Sequence, residues 1–281
     1  MSTTARRKPI ADTTPTVRLL AVDLDGTLLD SEKRVSPTTL ASLRQAVQRG
    51  VKVVIASARP PRSVRSIYRQ LGLETPQINY NGALVWDEPS RRVLLHRPIR
   101  GSLALQIIET ARDLFEEVLV HVETLDRWYT DRDDHSHTTE TGKLFKPDGI
   151  CPARQFCSQP VTKLMLLGEP PIMARLDAVL AQRFADEVTV LHTDRDLLQI
   201  MDRRVSKGIA LRLLARYFGI DCREVMAIGD APNDVGMLQV AGIAVAVDNA
   251  HPLVKDVADW VAPSNDDHGV SAALRRFGVC D

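Results

Sequence analysis

Leu19-Leu20-Ala21-Val22-Asp23-Leu24-Asp25-Gly26-Thr27-Leu28-Leu29 is the stretch on which the fold turns. Four apolar residues in an unbroken run mark a central parallel strand covered on both faces. Two carboxylates one residue apart then end it, where open α/β sheets build their sites. Gly26 supplies a tight turn, and Thr27 sets a hydroxyl beside the carboxylates. By itself Asp-Gly after a strand is also ordinary turn chemistry. The weight therefore falls on what the rest of the chain brings to the same place.

Outward from this strand, at residues 17–23, the chain alternates strand and helix. Ser36 caps a helix that has Pro37 at its first position and stops at Gly50. Residues 51–57 (Val-Lys-Val-Val-Ile-Ala-Ser) are a β-branched second strand. Pro60-Pro61 opens a helix closed by Gly72, and residues 78–80 form a third strand stopped by Asn81-Gly82. A β-α-β-α-β order implies parallel strands joined by right-handed crossovers. The last quarter repeats the grammar. Ser206 caps a helix over residues 207–218, residues 225–229 are a strand ending at Asp230, and residues 235–240 are a short helix. Residues 244–247 and 260–261 read as further strands. Between these halves, strand-like runs (118–122, 128–130, 161–167, 188–191) are interleaved with helical ones (103–114, 172–184), which suggests an antiparallel sheet with helices on one face. The expected organisation is a leader of disordered chain at 1–16, an α/β core at 17–84 and 203–281, and an inserted α+β domain at 85–202. Hinges are expected at 82–87 and 203–206.

At 281 residues, with 44% hydrophobic and 26% charged residues, the chain has an ordinary globular composition. Lys+Arg and Asp+Glu both number 36, so no net field recruits nucleic acid or an anionic membrane. No apolar stretch reaches membrane-spanning length, and residues 1–16 lack the apolar core of a signal peptide. Cys151, Cys157, Cys222 and Cys280 have no Cys-x-x-Cys spacing and read as reduced cysteines of a cytoplasmic protein.

Three further features fall where the first stretch needs them. Ser57 ends the second strand with a hydroxyl. Lys207 stands in the first turn of its helix, where a cation opposes the macrodipole at about 0.3–1 kcal/mol, a position that suggests an anionic partner. Gly229-Asp230-Ala231-Pro232-Asn233-Asp234 sets two carboxylates and an amide at another strand end. Four carboxylates at one sheet edge raise one another's pKa unless a cation neutralises them. All-oxygen ligation selects a hard ion, Mg²⁺ above all. A hydroxyl and an ammonium facing that ion make a phosphate site, and the remaining carboxylates become nucleophile and acid/base, which is phosphoryl transfer through an aspartyl-phosphate.

The chain resembles the haloacid dehalogenase superfamily, in its Cof-type branch of capped phosphatases. D-x-D-G-T-L-L matches residues 23–29. The usual A-T-G-R appears as Ala56-Ser57-Ala58-Arg59, S-K-G-x-A-L as residues 206–211, and G-D-x-x-N-D-x-x-M-L as residues 229–238. Asn81-Gly82-Ala83 and the tail at 249–250 and 267–270 resemble branch patterns too. The resemblance covers residues 17–281 and implies a Rossmann-like doubly wound core with an inserted α+β cap. It implies Asp23 as nucleophile and Asp25 as the group that protonates the leaving oxygen and then deprotonates water. Metal ligation is implied for Asp23, the Asp25 main-chain carbonyl, Asp230 and Asp234, the last directly or through water. Ser57, Lys207, Asn233 and N–H groups near Leu24 are implied to bind phosphate oxygens.

The expected activity is Mg²⁺-dependent hydrolysis of a small phosphorylated metabolite, a sugar phosphate first among the classes, by a monomer or small homo-oligomer. A phosphomutase and a metabolite-binding regulatory protein of the same fold stand as alternatives. Dehalogenation needs neither metal nor general acid, so the acidic set argues against it. In the inserted region, residues 131–137 read as a solvated loop rather than a second metal site. Trp128, Tyr129 and Phe145 read as core aromatics or stacking platforms. Arg127, Lys143 and Lys163 read as surface cations or substrate contacts. Deleting residues 1–16 is expected to leave kcat/KM for phosphate release unchanged; a large loss in the truncated chain would show that the leader takes part.

Overall fold

The computed structural model describes residues 16–134, 136, 137 and 139–281; residues 1–15 of the leader and His135 lie outside the described residues. The chain divides into two compact units, one running to Leu94 and resuming at Ser206, the other Leu95–Val205. These divisions lie beyond the expected crossings at 84/85 and 202/203. The strand Leu84–Asp87 pairs with Gln77–Asn79, so the chain stays with the first unit through that sheet before leaving it.

In the first unit five parallel strands stand in the order Trp260–Ala262, Ile243–Val247, Val225–Gly229, Leu19–Val22, Lys52–Ile55. Leu19–Val22 is buried along its whole length, with Leu19 opposite both Val225 and Lys52. Early strands add on one side of it and late strands on the other. The order therefore reverses between Leu19–Val22 and Val225–Gly229, the switch point at which open α/β sheets leave a crevice. Asp23 and Asp230 follow those two strands directly.

The third strand departs from expectation. It spans Gln77–Asn79, and its ladder is antiparallel with Leu84–Asp87, in a separate sheet completed by Arg92–His96. Its link to the central sheet is one parallel bridge, Ala56 to Ile78, with the Ser57 N–H donating to the Ile78 carbonyl at 2.8 Å. Tyr80, Asn81 and Gly82 then take φ values of 49°, 56° and 99°. Three left-handed residues in succession end the strand, so Tyr80 cannot belong to it.

The helices follow their punctuation. Pro37–Gln48 is capped by the Ser36 side chain, which accepts from the Thr39 N–H. Pro61–Leu71 buries Val64, Ile67, Tyr68 and Leu71 on one stripe and ends at left-handed Gly72. Lys207–Tyr217 starts at Ser206, whose hydroxyl accepts from the Gly208 N–H. No helix among the described residues is long and apolar enough to cross a membrane.

The inserted unit has a six-stranded sheet in the order Val188–Asp194, Leu197–Asp202, Lys163–Leu167, Leu119–Thr124, Arg127–Thr130, Gly149–Ile150. It is antiparallel except at its last edge, where Tyr129 pairs with Gly149 in parallel. Alternation sorts its faces. Val120, Val122, Leu164 and Leu166 pack with Ile107, Ala111, Met173 and Leu176 of the helices Gly101–Leu114 and Pro170–Arg183. Leu119, Met165 and Leu167 cluster with Leu197 on the other face.

Two readings of this unit are corrected. Lys163 is no surface cation, because it is 5% exposed and paired at 3.0 Å with buried Glu123, its cross-strand neighbour. Asp131 is not part of a solvated loop; its buried carboxylate pairs with Arg112 and accepts from the Val120 N–H at 3.2 Å. Tyr129 stacks on Phe156 in the core, and Arg127 is engaged by Asp148 at 2.9 Å. All four cysteines are free.

Gly82 carries a steric constraint beyond its positive φ, since a Cβ there would run into the Ser206 carbonyl at the start of the Lys207 helix. Gly50, also at positive φ (84°), has nothing within 4 Å of such a Cβ. Gly50→Ala should cost about 1–2 kcal/mol of left-handed strain alone, and Gly82→Ala distinctly more. Equal losses in urea unfolding would refute the close approach.

Candidate active site

The site is built from strand ends. The Asp23 N–H donates to the Ile228 carbonyl at 3.1 Å, extending the ladder one residue past Val22. The chain then folds over itself, the Leu24 carbonyl accepting from Thr27, Leu28 and Leu29 at 3.3, 3.1 and 2.9 Å. Gly26, at φ 79°, makes this turn where a Cβ would lie 2.5 Å from Asp230 Oδ2. Only glycine lets the two loops approach so closely. Thr27 Oγ1 donates to Asp230 Oδ1 at 2.6 Å, tying the loops together.

Asp234 organises the second loop. Its Oδ2 accepts the N–H groups of Asp230 and Ala231, both at 3.0 Å, and the residue is fully buried. Its Oδ1 accepts from Lys207 Nζ at 2.6 Å, and the same ammonium donates to Asp23 Oδ1 at 2.6 Å. Lys207 is 1% exposed. The cation at a helix N-terminus is thereby explained, because its side chain is held between two carboxylates and not in water.

Asp23 and Asp234 thus share one buried ammonium, and Asp230, half-buried, completes a cluster of three carboxylates. Burial pushes the Asp23 carboxyl well above the usual carboxylate range; Lys207 pulls it back, but Asp234 and Asp230 add to the rise. Asp230 is raised by burial and by Asp234, against the Thr27 hydrogen bond. Burial acts to discharge Lys207, yet Asp23 and Asp234 hold its pKa above the ordinary lysine value, so it is charged. Oxygen atoms of Asp23, Asp230 and Asp234 lie within 4.8 Å of one another. An all-oxygen set short of positive charge fits a hard divalent cation.

Asp25 stands apart from this cluster electrostatically. Arg59 grips it with two bonds, Nε to Oδ2 at 2.7 Å and Nη2 to Oδ1 at 2.5 Å, and Lys33 Nζ adds a third at 2.9 Å. Burial works against ionisation here, but Arg59 and then Lys33 outweigh it and hold the carboxyl below its ordinary value. In this arrangement Asp25 is an anion. It can take a proton, and it cannot give one until Arg59 and Lys33 release it.

Ser57 is buried at the end of its strand, its Oγ accepting from the Arg59 N–H at 3.1 Å, which leaves its own O–H to donate. Asn233 Nδ2 is engaged by Asn81 Oδ1 at 2.8 Å, so the amide expected at phosphate is here tied to the left-handed turn after Gln77–Asn79. Asn249 Nδ2 donates to the Gly26 carbonyl at 2.7 Å and Asn265 Nδ2 to the Leu29 carbonyl at 2.9 Å, bracing the Asp23 loop from the C-terminal tail. The parts played by Arg59, Lys33 and Asn81 escape the sequence reading. Arg59 stands inside a recognised motif but its partner is invisible there. Lys33 lies in a polar run with no pattern, and Asn81-Gly82 reads as turn chemistry.

The chain is similar to known proteins over most of its length. A family model described as haloacid dehalogenase-like hydrolase matches residues 20–274. Phosphatase YwpJ of Bacillus subtilis is 31% identical, the match covering 93% of this chain and 100% of that protein. The HMP-PP phosphatase of Serratia proteamaculans is 31% identical over 85% of this chain and 87% of its own. The crystal structure of TM0651 from Thermotoga maritima superposes with a TM-score of 0.83 at 31% identity, covering 93% of this chain and 97% of that one.

Removing the buried ammonium leaves Asp23 and Asp234 uncompensated. Lys207→Met should therefore lower the unfolding free energy of the metal-free protein by about 3–5 kcal/mol. A loss under about 1 kcal/mol in urea titration would mean that the ammonium does not carry these charges.

Proposed function

The chain belongs to the haloacid dehalogenase-like hydrolase family and hydrolyses phosphoric monoesters; from that premise we propose that it frees phosphate from a small phosphorylated metabolite through an aspartyl-phosphate on Asp23, with Mg²⁺ as cofactor. The observation that carries the reading is the buried Asp23 carboxylate, held 2.6 Å from the Lys207 ammonium at the switch point of the sheet.

In the proposed course an Asp23 carboxylate oxygen attacks phosphorus in line, and the ester oxygen departs with its electron pair. Asp25, once free of Arg59 and Lys33, takes up a proton from solvent and passes it to that oxygen. As a carboxylate again, it takes a proton from the water that cleaves the phospho-enzyme, returning Asp23 and releasing phosphate. Lys207, the Ser57 hydroxyl, the Leu24 N–H and Asn233, the last after letting go of Asn81, bind the phosphate oxygens. Asp23, the Asp25 main-chain carbonyl and Asp230 would hold Mg²⁺, and Asp234 would do so through water, since its own oxygens are taken up by Lys207 and two loop amides. Bound there, Mg²⁺ supplies the positive charge that three carboxylates and a phosphate lack.

Sugar phosphates are the first class to test. A Bacillus subtilis relative is named a 5-amino-6-(5-phospho-D-ribitylamino)uracil phosphatase, which adds phosphorylated heterocycles. A phosphomutase would transfer the phosphoryl group to a second substrate instead of releasing it.

Phosphate release should appear on a panel of sugar phosphates, nucleotides and cofactor phosphates, vanish in EDTA and return with Mg²⁺. Asp23→Asn should abolish it in a folded protein, and Asp25→Ala should slow it by roughly 10²–10⁴-fold. Near-wild-type release from Asp23→Asn, or a rate indifferent to EDTA, would overturn the mechanism.

A further inference from the structure

Arg59 and Lys33 converge on Asp25 from two different loops. Arg59 Nε donates to Oδ2 at 2.7 Å and Nη2 to Oδ1 at 2.5 Å, while Lys33 Nζ donates to the same Oδ1 at 2.9 Å. The guanidinium meets the carboxylate side-on, one N–H on each oxygen, which is the geometry its planar fork favours for a carboxylate. Two cations thus face one anion, and among the described residues neither pairs with another carboxylate.

Both arms are held in place by the chain around them. Lys33 has φ 59°, a strained backbone for a residue with a long side chain. Its turn is fixed by Asp30, whose Oδ1 accepts the N–H groups of Glu32 and Arg34 at 3.0 and 2.8 Å. Ser31 adds to this, donating its N–H and hydroxyl to Asp266 at 2.7 and 2.6 Å. Arg59 is anchored at its backbone, its N–H donating to Ser57 Oγ and its carbonyl accepting from Asn79 Nδ2, both at 3.1 Å. The three side chains are still within reach of a ligand, Lys33 being 60% exposed, Asp25 40% and Arg59 24%. Arg59 spends two of its five N–H donors on Asp25, and Lys33 one of its three.

We propose that Arg59 and Lys33 determine specificity by binding a carboxylate carried on the substrate, which displaces Asp25 and so frees it for the ester oxygen. The inference rests on the phosphatase reading above and deepens it, making the substrate the phosphate ester of a hydroxy acid or sugar acid. The clamp occupies both oxygens of the group that must reach the ester, and releasing Asp25 alone leaves two cations side by side without a counter-charge. An incoming carboxylate of the same planar shape takes over its bonds. Asp25 has to come within one hydrogen bond of the ester oxygen, and the cations stand one hydrogen bond from Asp25. The acid group therefore lies within about 6 Å of the ester oxygen, on the carbon that bears it or the next one. A neutral polyol ester brings hydroxyls, which do not replace the charge that Asp25 withdraws.

Phosphoglycolate and hydroxyethyl phosphate form the test pair, since they differ only by a carboxylate against a hydroxymethyl group. With Mg²⁺ present, kcat/KM for phosphoglycolate should exceed that for hydroxyethyl phosphate by about tenfold or more, the size of one charge-assisted hydrogen bond. Lys33→Met and Arg59→Met should each pull this ratio toward unity. Damage to the fold, or to the placing of Asp25 alone, slows both esters together and leaves the ratio where it was. Calorimetric titration of the Asp23→Asn protein with the same two esters reads the preference without turnover. Tighter binding of phosphoglycolate there, with no phosphate released by the unmutated chain, would keep the carboxylate site and reject the phosphatase reading. Equal kcat/KM and equal affinity for the two esters, or a ratio that neither variant moves, would overturn the proposal.

Discussion

Lys207 is the constraint on which the catalytic end of the fold depends. Its ammonium lies at 2.6 Å from both Asp23 and Asp234, out of water, and joins three elements remote in sequence. The strand Leu19–Val22 delivers one carboxylate, the loop after Val225–Gly229 the other, and the helix begun at Ser206 the cation. Surrounding glycines allow this closeness. Gly26 admits the Asp230 carboxylate, Gly208 lies against the Gly236 backbone, and Gly82 meets the Ser206 carbonyl. A Cβ at any of them would push apart elements that the buried ion pairs hold together.

That arrangement is electrically incomplete. One ammonium faces three carboxylates, and burial drives Asp23 and Asp230 above their ordinary pKa values. On the proposed reading Asp23 must be ionised to act as nucleophile, and one more cation beside these carboxylates would hold it so. Asp25 shows the converse, with Arg59 and Lys33 over-supplying positive charge and keeping its carboxyl ionised. Two carboxylates separated by one residue are thereby pushed apart in acidity, which is what the proposed nucleophile and acid/base roles would require.

The central sheet was readable because its signals are local and strong. The run 19–22 has no polar break, and the strand Val225–Gly229 and helix Val235–Val240 carry the bounds read from the sequence. The site was legible at the level of residue types, since Asp23, Asp230, Asp234 and Lys207 are brought together. Cross-chain pairing was not. Gln77–Asn79 looks like another parallel strand until Leu84–Asp87 folds back on it. Leu197–Asp202 lacks clean alternation, and Gly269–Arg276 is short, so neither announces itself. Lys163 reads as a surface cation because nothing in sequence shows Glu123 across the ladder. Arg59's grip on Asp25 likewise exists only in three dimensions.

The claim that Asp23 takes the phosphoryl group covalently is tested most directly by the stereochemical course at phosphorus, using a substrate made chiral with oxygen isotopes. Two successive in-line displacements, first by Asp23 and then by water, predict retention of configuration. Inversion would mean that water attacks the ester in a single step, and the aspartyl-phosphate account would be wrong.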